Sequence, residues 1–176
     1  MKIHDIFPSL REGKDDDAHF DALDKTGFFG AQGSGCVIMA RDTKRFLIAH
    51  RSKAVEQPNS WGGWGGAIDS GEDPAEAVKR EVQEETGYTG TVTIEPMYVF
   101  KKDTFRYYNF LVIVDKEFKP RLDWENQGFR WCKYGDWPQP LHFGLQALFK
   151  DPKSVNTMKK YLTSTNNSAD QIHPQK

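Results

Sequence analysis

The stretch from Trp61 to Gly87 constrains this 176-residue chain more than any other part of it. It opens with Trp61-Gly62-Gly63-Trp64-Gly65-Gly66, too rich in glycine to suggest a regular element but suited to a close backbone approach. Asp73-Pro74 then marks a helix start, with an acidic cap, proline at the first position and Glu76 three residues after the cap. The pattern predicts a helix over 74–86, stopped at Gly87. At about 100° per residue, Glu81, Glu84 and Glu85 fall within one sector of that helix. Ala75, Val78 and Val82 form the neighbouring apolar stripe, which predicts packing on a sheet. Three carboxylates on adjoining turns repel one another, so Arg80 or bound cations must compensate them. Hard cations such as Mg²⁺ choose such oxygens, neutralise diphosphates and activate water.

The rest of the chain supplies the sheet. Residues 35–41 and 45–51 read as strands joined by the turn-like Asp42-Thr43-Lys44. Further strands are expected at 67–69, 91–100, 104–114 and 129–134, and short helices at 19–23, 142–149 and 155–162. This mixture predicts a layered α/β domain with a mixed sheet, spanning 1–162, followed by a polar disordered tail over 163–176. Lysines plus arginines (24) nearly balance aspartates plus glutamates (25), which argues against a dedicated nucleic-acid binder. Cys36 and Cys132 match no zinc or disulfide framework and read as buried free thiols of a reducing compartment. With no apolar signal region and no segment of membrane-spanning length, the expected location is the cytoplasm.

Gly66, five residues, Glu72, seven residues, then Arg80-Glu81-Val82-Gln83-Glu84-Glu85-Thr86-Gly87-Tyr88 resembles the signature box of the Nudix hydrolases. All seven fixed residue types are present, a match expected by chance at on the order of 10⁻⁹ per starting position. Two departures stand out. Tyr88 occupies a position where an aliphatic residue is commoner, and Trp64 stands where relatives often carry the proline of Pro-Gly-Gly.

The resemblance, which extends over about 33–149, implies a Nudix-type α/β/α sandwich and metal-dependent hydrolysis of a diphosphate bond in a nucleoside diphosphate linked to a moiety X. A nucleoside triphosphate, ADP-ribose or a dinucleotide all remain open as that substrate. It implies that Glu81, Glu84 and Glu85 hold Mg²⁺, with Mn²⁺ as a substitute, and that Glu81 is a candidate base. By the same resemblance Arg80 is expected to hold the carboxylates, Glu72 to join the same cluster, and the Gly65 carbonyl to complete a metal's shell. The resemblance also makes Glu125 a candidate additional metal-binding or basic carboxylate, beside the reading of a solvated loop glutamate, with Asp123 a weaker rival. Arg51, Gly66 and Tyr107 are expected near the substrate, Tyr107 because dinucleoside-polyphosphate hydrolases carry a tyrosine nearby, although at another spacing. For Lys53, Lys101, Trp61, Trp64 and Tyr108 a surface or packing role is the default, and for His142 a capping or packing role. Dimerisation is common in the family, and no patch in the sequence decides it. The alternatives are a catalytically silent nucleotide-binding module, which commonly loses box glutamates, and an isopentenyl-diphosphate isomerase, for which Cys36 and Cys132 lack the context.

Overall fold

The computed structural model describes residues 32–102 and 104–164. The helix expected at 19–23 and the tail from residue 165 onward lie outside the described residues. Among the described residues seven strands form one sheet: β1 (Gln32–Ala40), β2 (Phe46–Arg51), β3 (Trp61–Gly62), β4 (Trp64–Ala67), β5 (Thr93–Lys102), β6 (Phe105–Val114) and β7 (Asn126–Cys132). Three described helices accompany them: α1 (Pro74–Thr86), α2 (Phe143–Lys150) and α3 (Pro152–Thr163). The order is β3-β2-β1-β6-β5, with β4 also paired to β1 and β7 to β2. β1 runs parallel to β6 and the other pairings are antiparallel, so the sheet is mixed. No described helix is long and apolar enough to cross a membrane.

Helices on both faces explain why the central strands read as continuous apolar runs rather than alternating ones. Cys36, Ile38 and Ala40 of β1 pack with Leu47, Ala49, Val112 and Val114 beneath Val78 and Val82 of α1. The intervening Val37 and Met39 face the other way, joining Phe46, Ile48, Leu111 and Ile113 beneath Leu145 and Leu148 of α2 and Met158 of α3. This is the α/β/α sandwich expected, and both cysteines are buried and free.

Several boundaries differ from those the sequence suggests, and one difference matters for the site. The stretch 61–66 is not irregular: it contributes β3 and β4. β4 pairs with β1 through Gly33↔Ala67, Ser34↔Gly66, Gly35↔Gly65 and Cys36↔Trp64, so glycine faces glycine and two backbones approach with almost no side chain between them. The strand expected at 67–69 is only its last residue. β7 starts at Asn126 rather than 129, which places Glu125 directly at its entrance. α3 starts at Pro152 rather than 155, because Asp151 caps it by accepting from the Ser154 N–H at 2.8 Å.

Helix α1 has the limits its sequence predicts. Asp73 accepts a hydrogen bond from the Ala75 N–H at 2.8 Å, and Gly87 closes the helix in the left-handed region at φ 71°. Replacing Asp73 by alanine is expected to lower stability by about 1 kcal/mol, read from denaturant midpoints at unchanged slope. An unshifted midpoint would show that packing alone sets the helix start.

Candidate active site

The site begins with one guanidinium. Arg80 Nε and Nη2 donate to the two carboxylate oxygens of Glu72, each at 3.0 Å. Nη1 donates to Glu81 Oε1 at 2.8 Å and Glu84 Oε2 at 3.1 Å, while Nη2 also reaches the Ala67 carbonyl at 3.0 Å. Arg80 therefore ties the loop after β4 to two turns of α1 through charge-assisted bonds. Its hydrogen bonds to Glu72 raise its own proton affinity and hold the Glu72 carboxyl below its usual range. No Glu76–Arg80 ion pair accompanies these bonds among the described residues.

The glycines admit this arrangement at two different contacts. At Gly65, φ is +144° and an added Cβ would fall 2.2 Å from the Ser34 carbonyl oxygen. The Gly65 N–H donates to Glu85 Oε2 at 3.0 Å, so this backbone turn also orients a carboxylate. At Gly66 an added Cβ would meet Glu81 Oε1 at 2.7 Å, so the group that approaches this glycine is the Glu81 carboxylate. Tyr107 lies across Gly33 and Gly35, where a Cβ on Gly35 would stand 2.2 Å from its hydroxyl oxygen. Burial first, then Glu85, pushes the Tyr107 hydroxyl's pKa up, placing this phenol beneath the acidic cluster. Gly33 and Gly35 escaped the sequence reading; glycines spaced by two at a strand's start were the available signal.

Glu85 is 6% exposed, and burial followed by the charges of Glu125, Glu81 and Asp123 raises its pKa well above the usual value. Burial likewise raises Glu81, against the opposing pull of Arg80. Glu125 is pushed up to about 7, by burial first and then by Asp123 and Glu81, with Arg51 opposing. Its carbonyl accepts from the Ser52 N–H at 2.7 Å, and its own N–H donates to Asp123 Oδ1 at 3.0 Å. Glu81, Glu85 and Glu125 thus act on one another, while Glu84 projects outward with 58% of its side chain exposed.

Arg51 lies on this same side. Its Nε donates to the Glu56 carbonyl at 3.0 Å, its stem packs on Gly62, and its charge acts on Glu125, Tyr107 and His142. His142 is the N-cap of α2, and Trp64 is buried with Nε1 donating to the Leu47 carbonyl at 3.1 Å. Trp61 stacks on His50 at 4.4 Å, Tyr108 packs against the α1-side core, and Lys53 and Lys101 are exposed. Trp124 and Phe143, exposed aromatics beside Glu125 and His142, were not anticipated.

The donor set is all oxygen, which fits a hard divalent cation. Arg80 is engaged with Glu72, Glu81 and Glu84, leaving the mutual repulsion of Glu81, Glu85 and Glu125 without full compensation. Among the described residues no three Asp, Glu, His or Cys side chains stand ready-assembled to hold a metal ion. Repulsion among Glu81, Glu85 and Glu125 opposes a closer approach of these carboxylates.

A family model, the NUDIX domain, matches residues 31–151. The chain belongs to the Nudix family. A CMP-5′-(N-acetyl-N-hydroxy-3-aminopropyl)phosphonate hydrolase from Streptomyces rubellomurinus is 36% identical over 61 residues, covering 35% of this chain and 30% of that relative. The match thus spans under a third of that protein. Among solved structures, a Nudix hydrolase from M. smegmatis has a TM-score of 0.60 at 20% identity, covering 77% of this chain and 88% of the other. A C. elegans Ap4A hydrolase has a TM-score of 0.54 at 21% identity, covering 74% and 95%. Those likenesses establish a Nudix fold. Trp64, standing where relatives often carry proline, is a buried anchor (1% exposed) at the start of β4.

Two alanine substitutions separate the glycine roles. Gly65→Ala collides with fixed backbone at a positive φ and is expected to cost at least about 2 kcal/mol of stability. Gly66→Ala meets only the end of a flexible carboxylate, so stability should change by about 1 kcal/mol or less while Mg²⁺ affinity falls. Paired melting and metal titration check both; equal destabilisation would refute the distinction.

Proposed function

We propose that this Nudix protein is a metal-dependent pyrophosphohydrolase acting on a nucleoside diphosphate linked to a second moiety. The observation that carries the reading is the group of three mutually repelling carboxyls, Glu81, Glu85 and Glu125, beside an Arg80 already committed to Glu72. Glu81, Glu84, Glu85 and the Gly65 carbonyl would hold Mg²⁺, or Mn²⁺ in its place. When bound, the cation neutralises charge on the diphosphate and supports ionisation of the attacking water.

This chain's own residues divide the remaining work. Arg80 keeps Glu81 and Glu84 on the loop side of α1, and the Gly65 N–H orients Glu85. Glu125 suits proton acceptance better than Glu81, because its affinity lies near neutrality whereas Glu81 is bonded to Arg80 at 2.8 Å. In the proposed reaction water attacks one phosphorus, Glu125 takes its proton, and the anhydride P–O bond breaks, so that the attacked phosphorus keeps the water oxygen and the other phosphate leaves with the bridging oxygen, giving a nucleoside monophosphate and the phosphorylated second moiety. Arg51 offers the fixed positive charge on the substrate side. The hydrolase named for the Streptomyces relative supports a nucleotide-bearing substrate, and the retained box glutamates disfavour a silent module.

Glu125→Gln is expected to lower kcat by about 10²–10⁴-fold in a folded protein, measured on nucleoside triphosphates, ADP-ribose and dinucleoside polyphosphates with Mg²⁺ and with chelator. Near-normal turnover would remove Glu125 from the chemistry, and silence of the wild type across the panel would overturn the function.

A second expectation concerns pH. A carboxyl raised from 4.5 to about 7 stabilises the fold below its unfolded value, and that contribution is lost as pH rises through about 7. His142, lowered to about 4, contributes in the opposite sense, so the comparison must cancel it. The stability of metal-free wild type relative to Glu125→Gln should therefore fall between about pH 5 and about pH 8, and Mg²⁺ should recover it. A difference independent of pH would show that Glu125 is not buried among like charges.

A further inference from the structure

His142 precedes α2 and meets the glycine segment from the side opposite Arg51. Its backbone N–H donates to the Trp61 carbonyl at 2.8 Å, while the Arg51 N–H donates to the adjacent Ser60 carbonyl at 2.9 Å. The Arg51 stem crosses the place where Gly62 lacks a side chain, 3.2 Å from an added Cβ. The two residues therefore flank the same short strand. Among the described residues Arg51 is the charged group that, after burial, lowers the His142 pKa.

The His142 ring has one nitrogen occupied and one free. Nδ1 accepts from the Gly144 N–H at 3.1 Å, which requires that nitrogen to be unprotonated. The neighbouring helix donor, the Phe143 N–H, is taken by Gln57 Oε1 at 3.2 Å, so the start of α2 presents no spare amide there. Among the described residues nothing accepts a hydrogen bond from His142 Nε2. That nitrogen is not sealed in the core either, since among the described residues no buried side-chain polar atom lacks a partner.

We propose that His142 is a substrate-binding residue: capping of α2 through Nδ1 fixes the proton on Nε2, and this N–H, beside Arg51, donates to a phosphate oxygen of the substrate. The inference rests on the diphosphate reading above. An uncharged imidazole supplies a hydrogen bond without adding a second desolvated cation next to Arg51; burial first, then the Arg51 charge, lowers His142 to about 4. The donor is therefore unchanged across the neutral range, unlike an ordinary histidine.

The test pairs a variant with a direct view of the ring. His142→Ser retains a good helix cap but has no group at Nε2. Its melting temperature should stay close to wild type while KM rises about tenfold with kcat little changed. In protein labelled with ¹⁵N at histidine, the Nε2–H tautomer should persist from about pH 6 to about pH 8, and added ADP with Mg²⁺ should shift Nε2 but not Nδ1. A folded His142→Ser with unchanged KM, an imidazolium in that range, or an Nε2 signal indifferent to ADP each overturns the proposal. Should the serine variant fail to fold, the ¹⁵N readout on wild type decides alone. An Nε2 shift without cleavage of any substrate would leave the phosphate contact standing and overturn the hydrolase reading. Cleavage with an unmoved Nε2 would do the reverse.

Discussion

The fork between Arg80 and Glu72 organises this molecule's acidic end. Two parallel hydrogen bonds at 3.0 Å join a loop residue to the middle of α1, and the remaining donors of the same guanidinium reach Glu81, Glu84 and the Ala67 carbonyl. A lysine has neither the planar geometry nor the number of donors for this. Because the loop leaves β4, and β4 is stitched to β1, the orientation of three carboxylates is referred back to the most buried strand of the sheet. The site is thereby registered to the core rather than carried on a free loop.

The same arrangement leaves charge unbalanced in a defined place. One guanidinium offsets Glu72, Glu81 and Glu84, but Glu85 and Glu125 lie beyond its bonds and are pushed toward the neutral form. Burying like charges costs stability and is tolerated where something else neutralises them. Arg51 opposes the rise at Glu125 without cancelling it. A divalent cation matches this deficit in charge, hardness and position, and that match carries the proposed chemistry further than the fold alone does, since one fold hosts many reactions.

Much of this was legible in the sequence, and the reasons for success and failure are physical. Helix α1 announces itself through Asp73, Pro74 and Gly87, because capping chemistry is local and residue-specific. The runs that became β1 and β6 likewise read as strands, whereas helices on both faces of the sheet were implied by the family resemblance. The strands β3 and β4 were hidden because their stability comes from pairing with residues distant in the chain, β3 with Ala49 and His50 of β2 and β4 with Gly33 and Gly35 of β1, and not from any propensity of Trp-Gly-Gly. Glu125 could be singled out by position, yet its character depends on Asp123, Glu81 and Arg51 converging from three elements. Tyr107 was picked because dinucleoside-polyphosphate hydrolases carry a tyrosine nearby; what makes room for its ring is the absence of side chains at Gly33 and Gly35.

Glycine and tryptophan divide the labour of the 61–66 segment, and the division explains the departure from Pro-Gly-Gly. A glycine pair that brings backbone within contact of Ser34 and Glu81 is conformationally loose in the unfolded chain, so something must restrict it. Proline would do so by fixing its own φ. Trp64 does so by burial: its ring fills the α1-side core and its Nε1 is tied to the Leu47 carbonyl, which leaves its φ free to follow the pairing with Cys36. The constraint has moved from the covalent backbone into tertiary packing. The geometry of Gly65 and Gly66, and through them of Glu85 and Glu81, therefore depends on an intact core, and the carboxylate arrangement is set only once the sheet and α1 have closed on Trp64.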